Sequence, residues 1–206
     1  MSQQPRYQRR KQDRPQEITD AALAAFAEKG YAATRVDDVA KRAGVSKGLL
    51  YLYFKTKEEL FKAVVRSFVV PRIDALTEII ESSELSSEEF LRGPFLDFVK
   101  TLPGSPISVV IRLMIAEGPK HPDLVQFYWD NVVSRGLGAI SELLQRGVQT
   151  GEFRKSAVTE QPHLFIMPVL FSVIFNLLFD KQSIDTNRLI KTQIDLLITH
   201  LKSTET

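Results

Sequence analysis

The stretch between residues 34 and 54 constrains the fold most, because two short helix-forming segments meet there at a glycine. Thr34-Arg35-Val36-Asp37 is typical of a helix start, with a hydroxyl for capping and an acid in the first turn. The first segment has a single apolar stripe: Val36, Val39, Ala40 and Ala43. Gly44 then supplies a turn, and Ser46 can cap a second helix that ends near Phe54. Two short helices around a glycine turn predict a helix-turn-helix.

The rest of the chain has helical periodicity and no alternating strand pattern. Apolar residues recur at helical spacing from Pro15 to Gly30, and another helix start follows at Thr56. Proline, glycine and serine clusters interrupt the later helices. We therefore predict an all-α fold of roughly nine or ten helices, with an N-terminal three-helix helix-turn-helix domain and a larger C-terminal helical domain.

Composition excludes several classes of protein. The 206 residues contain no cysteine, so disulfides, cysteine-ligated metals and cysteine nucleophiles are excluded. The chain opens without an apolar leader, which predicts a cytoplasmic protein. The most apolar run, 164–179, is shorter than the roughly 18 to 20 residues that a spanning helix needs, so we predict no membrane partner. No sequence motif for a metal or cofactor is present.

Charge is distributed unevenly along the chain. Residues 1–66 carry 14 basic and 8 acidic side chains, whereas residues 67–206 carry 13 basic and 17 acidic ones. A basic first third joined to an acidic remainder predicts that the first third meets a polyanion, although a solvated basic surface would have the same composition. Residues 1–14 contain five of these basic side chains and no apolar periodicity, so we predict a flexible basic arm there.

The run from Val36 to Ala63, VDDVAKRAGVSKGLLYLYFKTKEELFKA, resembles the DNA-binding signature of the TetR family of bacterial transcriptional regulators, including its AcrR-like members. The resemblance covers roughly residues 12–72. It implies a DNA-binding domain over 15–62, with the motif at 35–54, and a helical domain for effector binding and dimerisation over 63–206. The implied partners are a double-stranded DNA operator, a second copy of the chain and a small-molecule effector.

Candidate DNA contacts follow from the second helix of the motif, because the first residues of a helix in the major groove reach base edges. These residues are Ser46, Lys47, Gly48 and Leu49. By resemblance, Tyr51 and Tyr53 contact the DNA backbone and Lys57 binds a phosphate. Packing is an equally good explanation for Tyr53. Thr34 and Arg35 lie where the first helix of the motif begins, so phosphate contact is expected for both, with simple capping as the alternative for Thr34.

The dimer interface is predicted on the last two helices. The segment 161–180 is apolar almost all round, and the final helix has an apolar stripe. The candidate residues are Phe165, Val169, Ile174, Leu177, Ile190, Ile194, Leu197 and Ile198.

Effector contacts are predicted from large apolar residues of the C-terminal domain and from one amide in an apolar helix. The candidates are Phe95, Phe98, Met114, Tyr128, Trp129, Met167, Phe171, Phe175 and Asn176. Core packing is the alternative for each, and a partner subunit is the alternative for Asn176. Few of the candidates are polar, so the expected effector is largely hydrophobic.

The resemblance favours a ligand-responsive repressor that binds a palindromic operator as a homodimer. An activator, or a regulator that senses a protein, has the same sequence features. An enzyme is disfavoured, because the three histidines are far apart and no nucleophile elbow, phosphate loop or HExxH motif is present.

Overall fold

The computed structural model describes residues 6–179, 181–182 and 184–202, and these residues form an all-α structure. The first four helices build the N-terminal part: α1 Arg6–Ala33, α2 Val36–Arg42, α3 Lys47–Tyr53 and α4 Lys57–Phe68. Eight more follow: α5 Val70–Ser82, α6 Ser87–Phe90, α7 Leu96–Thr101, α8 Pro106–Glu117, α9 Pro122–Tyr128, α10 Ser134–Gln149, α11 Met167–Leu178 and α12 Thr186–Lys202. The predicted fold class is confirmed.

The first helix is longer than the sequence predicted. Residues 1–5 of the predicted flexible arm lie outside the described residues, but residues 6–14 continue α1 through Pro15, so that prediction is wrong for them. Arginine, lysine and glutamine dominate these positions and are good helix formers even without an apolar face. At the other end, Gly30 takes a φ of 77° and interrupts the helical geometry where the apolar spacing ends.

An aromatic cluster joins α1 to α4. The ring of Phe26 lies 5.6 Å from Tyr31 and 6.0 Å from Phe61, and the last two rings meet edge to face at 5.7 Å. All three side chains are buried. Such pairs contribute about 0.5–1.5 kcal/mol each beyond their burial, so they fix the scaffold that carries α2 and α3.

Helix α4 belongs to both parts of the molecule. Leu60 and Phe61 pack in the N-terminal part, and the buried stripe continues through Val64 and Val65 towards α5 and α9. The predicted domain boundary at residue 62 falls inside this helix. A continuous helix with one buried face offers no break at that point, so the two parts are rigidly joined.

Two interruptions with π-helical bonding divide the longest helical stretches of the C-terminal part. Leu91–Phe95 separates α6 from α7, and Trp129–Val133 separates α9 from α10. Short 3₁₀ turns, Gly118–Lys120 and Pro162–Phe165, lead into α9 and α11. Among the described residues no single helix is long and apolar enough to cross a bilayer. Ser87–Thr101 and Pro106–Lys120 reach that length and composition only as a pair bent by 65°.

The glycines of α10 provide a matched test of packing. A Cβ at Gly147 would lie 2.3 Å from Cδ2 of the buried Phe153 ring, whereas a Cβ at Gly138 meets nothing within 4 Å. Gly147→Ala is expected to lower the free energy of unfolding by about 1–3 kcal/mol through overpacking. Gly138→Ala is expected to raise it by about 0.5–1 kcal/mol through helix propensity. Urea unfolding of both variants measures this, and equal shifts would contradict the packing around Phe153.

Candidate DNA-binding surface and effector cavity

Helix α3 presents the predicted contact residues at the surface. Ser46 caps it, since its hydroxyl accepts a hydrogen bond of 3.1 Å from the Leu49 amide, and Gly44 in the preceding turn has a φ of 64°. Leu50 is fully buried and anchors the helix to the core, while Lys47, Gly48 and Tyr51 are exposed. The first turn of α3 is therefore free to enter a groove.

Lys47 is held in place by its neighbours on this surface. Its ammonium donates a hydrogen bond of 2.8 Å to the Asp37 carboxylate and lies 5.9 Å from the centre of the Tyr51 ring. The hydrogen bond from Lys47 to Asp37 raises the pKa of the lysine, so it remains a cation. Leu52, which sequence reasoning missed, is 65% exposed beside Tyr51 and extends the surface with an apolar side chain.

Thr34 does not have either of its predicted roles. The side chain is buried, and its hydroxyl donates to the carbonyls of Gly30 at 2.6 Å and Ala25 at 3.2 Å. Arg35 is the N-cap residue of α2 and makes no side-chain capping bond. Thr34 therefore closes the end of α1, and of these two residues only the exposed Arg35 remains a candidate for phosphate contact. Tyr53 is half-buried against the core, with its ring 6.5 Å from that of Phe54.

The ammonium of Lys57 is turned towards the end of α1. It donates to the carbonyls of Tyr31, Ala32 and Thr34 at 2.8, 3.2 and 3.2 Å and lies 4.4 Å from the centre of the Tyr31 ring. Burial lowers the pKa of Lys57, an effect that Glu117 partly opposes. In this conformation the lysine neutralises the negative end of a helix. The predicted phosphate contact would require the ammonium to leave these carbonyls.

The C-terminal part encloses a cavity of about 420 Å³. Its wall comes from α5, α7, α8, α9, α10, α11 and both π-helical segments, and it is almost entirely apolar. The lining residues are Ile73, Leu76, Phe95, Phe98, Leu102, Ile107, Ile111, Met114, Ile115, Tyr128, Val132, Val133, Gly136, Leu137, Ile140, Ile166, Val169, Leu170 and Ile174. Burial raises the pKa of the Tyr128 phenol, the one hydroxyl in this wall.

Four of the predicted effector residues line the cavity, namely Phe95, Phe98, Met114 and Tyr128. The other five do not line it: Trp129, Met167, Phe171, Phe175 and Asn176. Trp129, Met167 and Phe171 are exposed. On α11 the cavity is lined instead by the buried Val169 and by Leu170 and Ile174, which are themselves partly exposed. Phe175 lies between the rings of Phe171 and Phe179.

Asn176 lines a different opening. It lines a cleft of about 500 Å³ between α1 and α8, together with Asp20 and Arg112. The amide is exposed there, so its polarity is satisfied by solvent and does not require a buried ligand.

The predicted dimer residues divide between core and surface. Six of them are buried within the chain: Phe165, Val169, Ile190, Ile194, Leu197 and Ile198. The prediction is wrong for these six, since α12 packs its stripe against α7 and α11 of its own chain, and Phe165 meets Phe95 at 6.3 Å. Ile174 and Leu177 do lie on the surface. They belong to an exposed apolar face of α11, here called the α11 face: Met167, Leu170, Phe171, Ile174, Leu177 and Leu178.

Two family models match the chain over separate ranges. One is described as bacterial regulatory proteins of the tetR family and matches residues 18–64, and the other, the C-terminal domain of an AefR-like transcriptional repressor, matches 90–164. The transcriptional repressor KstR2 of Mycolicibacterium smegmatis is 31% identical over 156 residues, covering 74% of each chain. The chain belongs to the TetR family. It is therefore a DNA-binding transcriptional regulator.

Other TetR-family relatives are similar over nearly the whole length. The fatty acid metabolism regulator protein of Bacillus subtilis is 26% identical over 191 residues, covering 91% of this chain and 96% of that protein. The structure of the transcriptional regulator FadR from Bacillus subtilis in complex with stearoyl-CoA superposes with a TM-score of 0.72 at 24% identity, covering 90% of this chain and 98% of that one. This superposition supports the described fold.

The contacts of Lys57 predict a structural role within this TetR-family fold. Lys57→Met removes three charge-assisted hydrogen bonds to the end of α1, and we expect the free energy of unfolding to fall by about 1.5–3 kcal/mol. The exposed neighbour Lys55 offers a control, since Lys55→Met removes the same charge two residues earlier, just before α4. Urea unfolding of both variants measures the difference. Equal stabilities would mean that the carbonyl contacts contribute nothing.

Proposed function

We propose that this TetR-family regulator is a repressor that binds a palindromic operator as a homodimer and is released by an effector with a long aliphatic chain, of the acyl-CoA class. The observation that carries the proposal is the apolar cavity of about 420 Å³ within the C-terminal part. Binding of a repressor to an operator that overlaps a promoter blocks transcription, and the effector reverses this block.

The chemistry of the cavity supports an aliphatic ligand. Its side chains are aliphatic, aromatic or thioether, apart from the Tyr128 phenol, so a charged group inside would have no counterion and would be strongly disfavoured. An alkyl chain gains about 25 cal/mol for each Å² of apolar surface that it buries. An effector with a charged head must therefore place its chain inside and its head outside. The relative crystallised with stearoyl-CoA carries a ligand of this kind.

The α11 face supports dimerisation. Contiguous exposed apolar surface on a folded chain marks an interaction site, and these six residues recur on one side of α11. One α3 helix makes few base contacts, whereas a two-fold dimer places two of them about one helical turn of DNA apart. The self-complementary geometry of such a dimer accounts for a palindromic operator.

Release by the effector requires two states with different affinities for the ligand. A ligand shifts the equilibrium between two states only as far as its affinities for them differ. By reciprocity, bound DNA weakens the binding of a ligand that releases the protein from DNA. The cavity wall includes α8 and α10, which connect through the 3₁₀ turn and α9 to the DNA-binding helices. Filling the cavity is thereby coupled to the spacing of the two α3 helices.

A titration with stearoyl-CoA tests the proposal. The purified protein is bound to a palindromic operator selected from random DNA, and the operator affinity is measured by fluorescence anisotropy. Stearoyl-CoA is expected to lower that affinity at least 10-fold, while coenzyme A without an acyl chain leaves it unchanged. Equal effects of the two compounds would exclude the cavity as the site, and a gain of operator affinity would make the protein a regulator that needs its ligand to bind.

A further inference from the structure

The two π-helical segments of the described chain both carry cavity-lining side chains. Phe95 lies in the first, and Val132 and Val133 lie in the second. The first segment contains Pro94, which lacks an amide hydrogen and so disrupts α-helical bonding by itself. The second, Trp129–Val133, contains no proline. No proline therefore imposes its π-helical bonding, and π-helical turns of this kind are frequent at functional sites.

Phe127 lies two residues before this second segment and contacts the DNA-binding part. The guanidinium carbon of Arg66 lies 4.8 Å from the centre of its ring and the Lys62 ammonium lies 5.6 Å from it, both on α4. The next residue, Tyr128, lines the cavity. Two consecutive residues thus connect the cavity wall to α4.

The other end of α9 is also held against the DNA-binding part. The ring of His121 meets that of Tyr31 edge to face at 5.0 Å, and its Nδ1 lies 3.8 Å from the Glu58 carboxylate. Burial, with Glu58 and Glu117 nearby, raises the pKa of the Tyr31 phenol to about 12. His121 therefore acts as a fixed point on α1 and α4, and Phe127 is the contact nearer the cavity.

We infer that the Trp129–Val133 segment changes its helical bonding when the cavity is filled, and that Phe127 transmits this change to α4. The inference rests on the proposed function and names how the effector acts. Conversion between π and α bonding displaces the flanking helix by up to about 1.5 Å, the rise of one residue. A shift of that size takes the Lys62 ammonium beyond the range of about 6 Å over which a cation binds an aromatic face.

Movement of α4 reaches the recognition helix directly. Only Phe54, Lys55 and Thr56 separate α3 from α4, and Thr56 caps α4 by accepting a hydrogen bond of 3.1 Å from the Glu59 amide. The connection is short and bonded at its end, so α3 follows α4. In a dimer, this displacement changes the distance between the two α3 helices and lowers the affinity for an operator of fixed spacing.

A cavity-filling substitution tests the inference without relying on the identity of the effector. Gly136 lines the cavity, and a Cβ there would make only an ordinary contact of 3.8 Å with Ile73. Gly136→Leu therefore adds an aliphatic group inside the cavity. It is combined with Phe127→Leu, which removes the aromatic contact to α4, or with the control Val125→Ala, an exposed position of α9 near Gly118.

Gly136→Leu alone is expected to lower the operator affinity at least 10-fold. The double variant Gly136→Leu/Phe127→Leu is expected to bind the operator within about threefold of the affinity of Phe127→Leu alone. The double variant Gly136→Leu/Val125→Ala is expected to keep the full loss of operator affinity. Unchanged operator affinity in folded Gly136→Leu protein would overturn the inference. So would equal losses of operator affinity when Gly136→Leu is added to the wild type, to Phe127→Leu and to Val125→Ala. If Gly136→Leu acts as expected and stearoyl-CoA does not, the coupling stands and the proposed effector class is wrong.

Hydrogen exchange locates the coupling in the same variants. Gly136→Leu is expected to change amide exchange at least 10-fold in both Trp129–Val133 and residues 62–66 of α4. With Phe127→Leu added, the first change should persist and the second should vanish. Persistence of both changes would show that another contact carries the signal.

Discussion

Phe171→Asp is expected to convert the proposed dimer to a monomer and to lower its operator affinity at least 100-fold. Phe171 is 52% exposed near the middle of the α11 face and does not line the cavity, so the substitution spares the fold and the effector site. A carboxylate there would be buried without a partner in the dimer. Hot-spot residues near the centre of an interface contribute about 2 kcal/mol or more to the free energy of association. A monomer reads one half-site only, which accounts for the large loss.

Sedimentation velocity at micromolar concentration, alongside operator binding by anisotropy, measures this prediction. Ile79→Asp is the matched control, because Ile79 is equally exposed on α5, outside the α11 face. The control variant should remain a dimer with unchanged operator affinity. A Phe171→Asp protein that sediments as the wild type does would place the dimer interface elsewhere.

Lys47→Ala is expected to lower operator affinity 10- to 100-fold without affecting dimerisation, and Tyr51→Ala should have a similar effect. Lys47 is the cation at the start of α3, and a good contact from such a side chain to a base contributes about 1–3 kcal/mol of discrimination. Asp37 and the Tyr51 ring hold the ammonium in position before DNA binds. Loss of Tyr51 therefore also removes part of the support for Lys47.

The control for Lys47 is Lys155→Ala, which removes an exposed lysine from the C-terminal part. Operator and competitor DNA should both be measured, since a base contact reduces the specific affinity more than the affinity for unrelated sequence. Equal losses on both DNAs would make Lys47 a phosphate contact. Unchanged operator affinity for both Lys47→Ala and Tyr51→Ala would exclude α3 as the recognition helix.

Local signals in the sequence were sufficient to predict the DNA-binding motif. Ser46 and Thr56 act as the caps that were expected of them, and Gly44 takes the positive φ that favours glycine. Each of these features depends on residues within one helical turn. The prediction for Thr34 was wrong because its partners, the carbonyls of Ala25 and Gly30, belong to the preceding helix.

An apolar stripe alone could not separate the core from an interface. Ile190 and Ile194 are buried within their own chain, while Phe171 and Leu178 on the neighbouring helix are exposed. Both sets have the same periodicity, and only the packing of α12 against α7 and α11 distinguishes them.

The cavity was predicted in part, because its location depends on helical register. Phe95, Phe98, Met114 and Tyr128 were expected from their size and spacing. Trp129 follows Tyr128 but points outward, at the start of a π-helical segment that no proline signals in the sequence. The contacts of Lys57 could not be predicted from its neighbours in sequence either, since its three carbonyl partners lie more than 20 residues away in the chain.

Binding of the purified protein to its own upstream intergenic DNA tests the central claim most directly. Anisotropy is measured at several salt concentrations, with unrelated DNA as competitor. The proposed function predicts saturable binding by a dimer, with operator affinity that falls as salt rises and a preference of at least 1000-fold over the competitor, about 4 kcal/mol. Equal affinity for both DNAs at every salt concentration, in protein shown to be folded and dimeric, would contradict specific operator recognition there by α3.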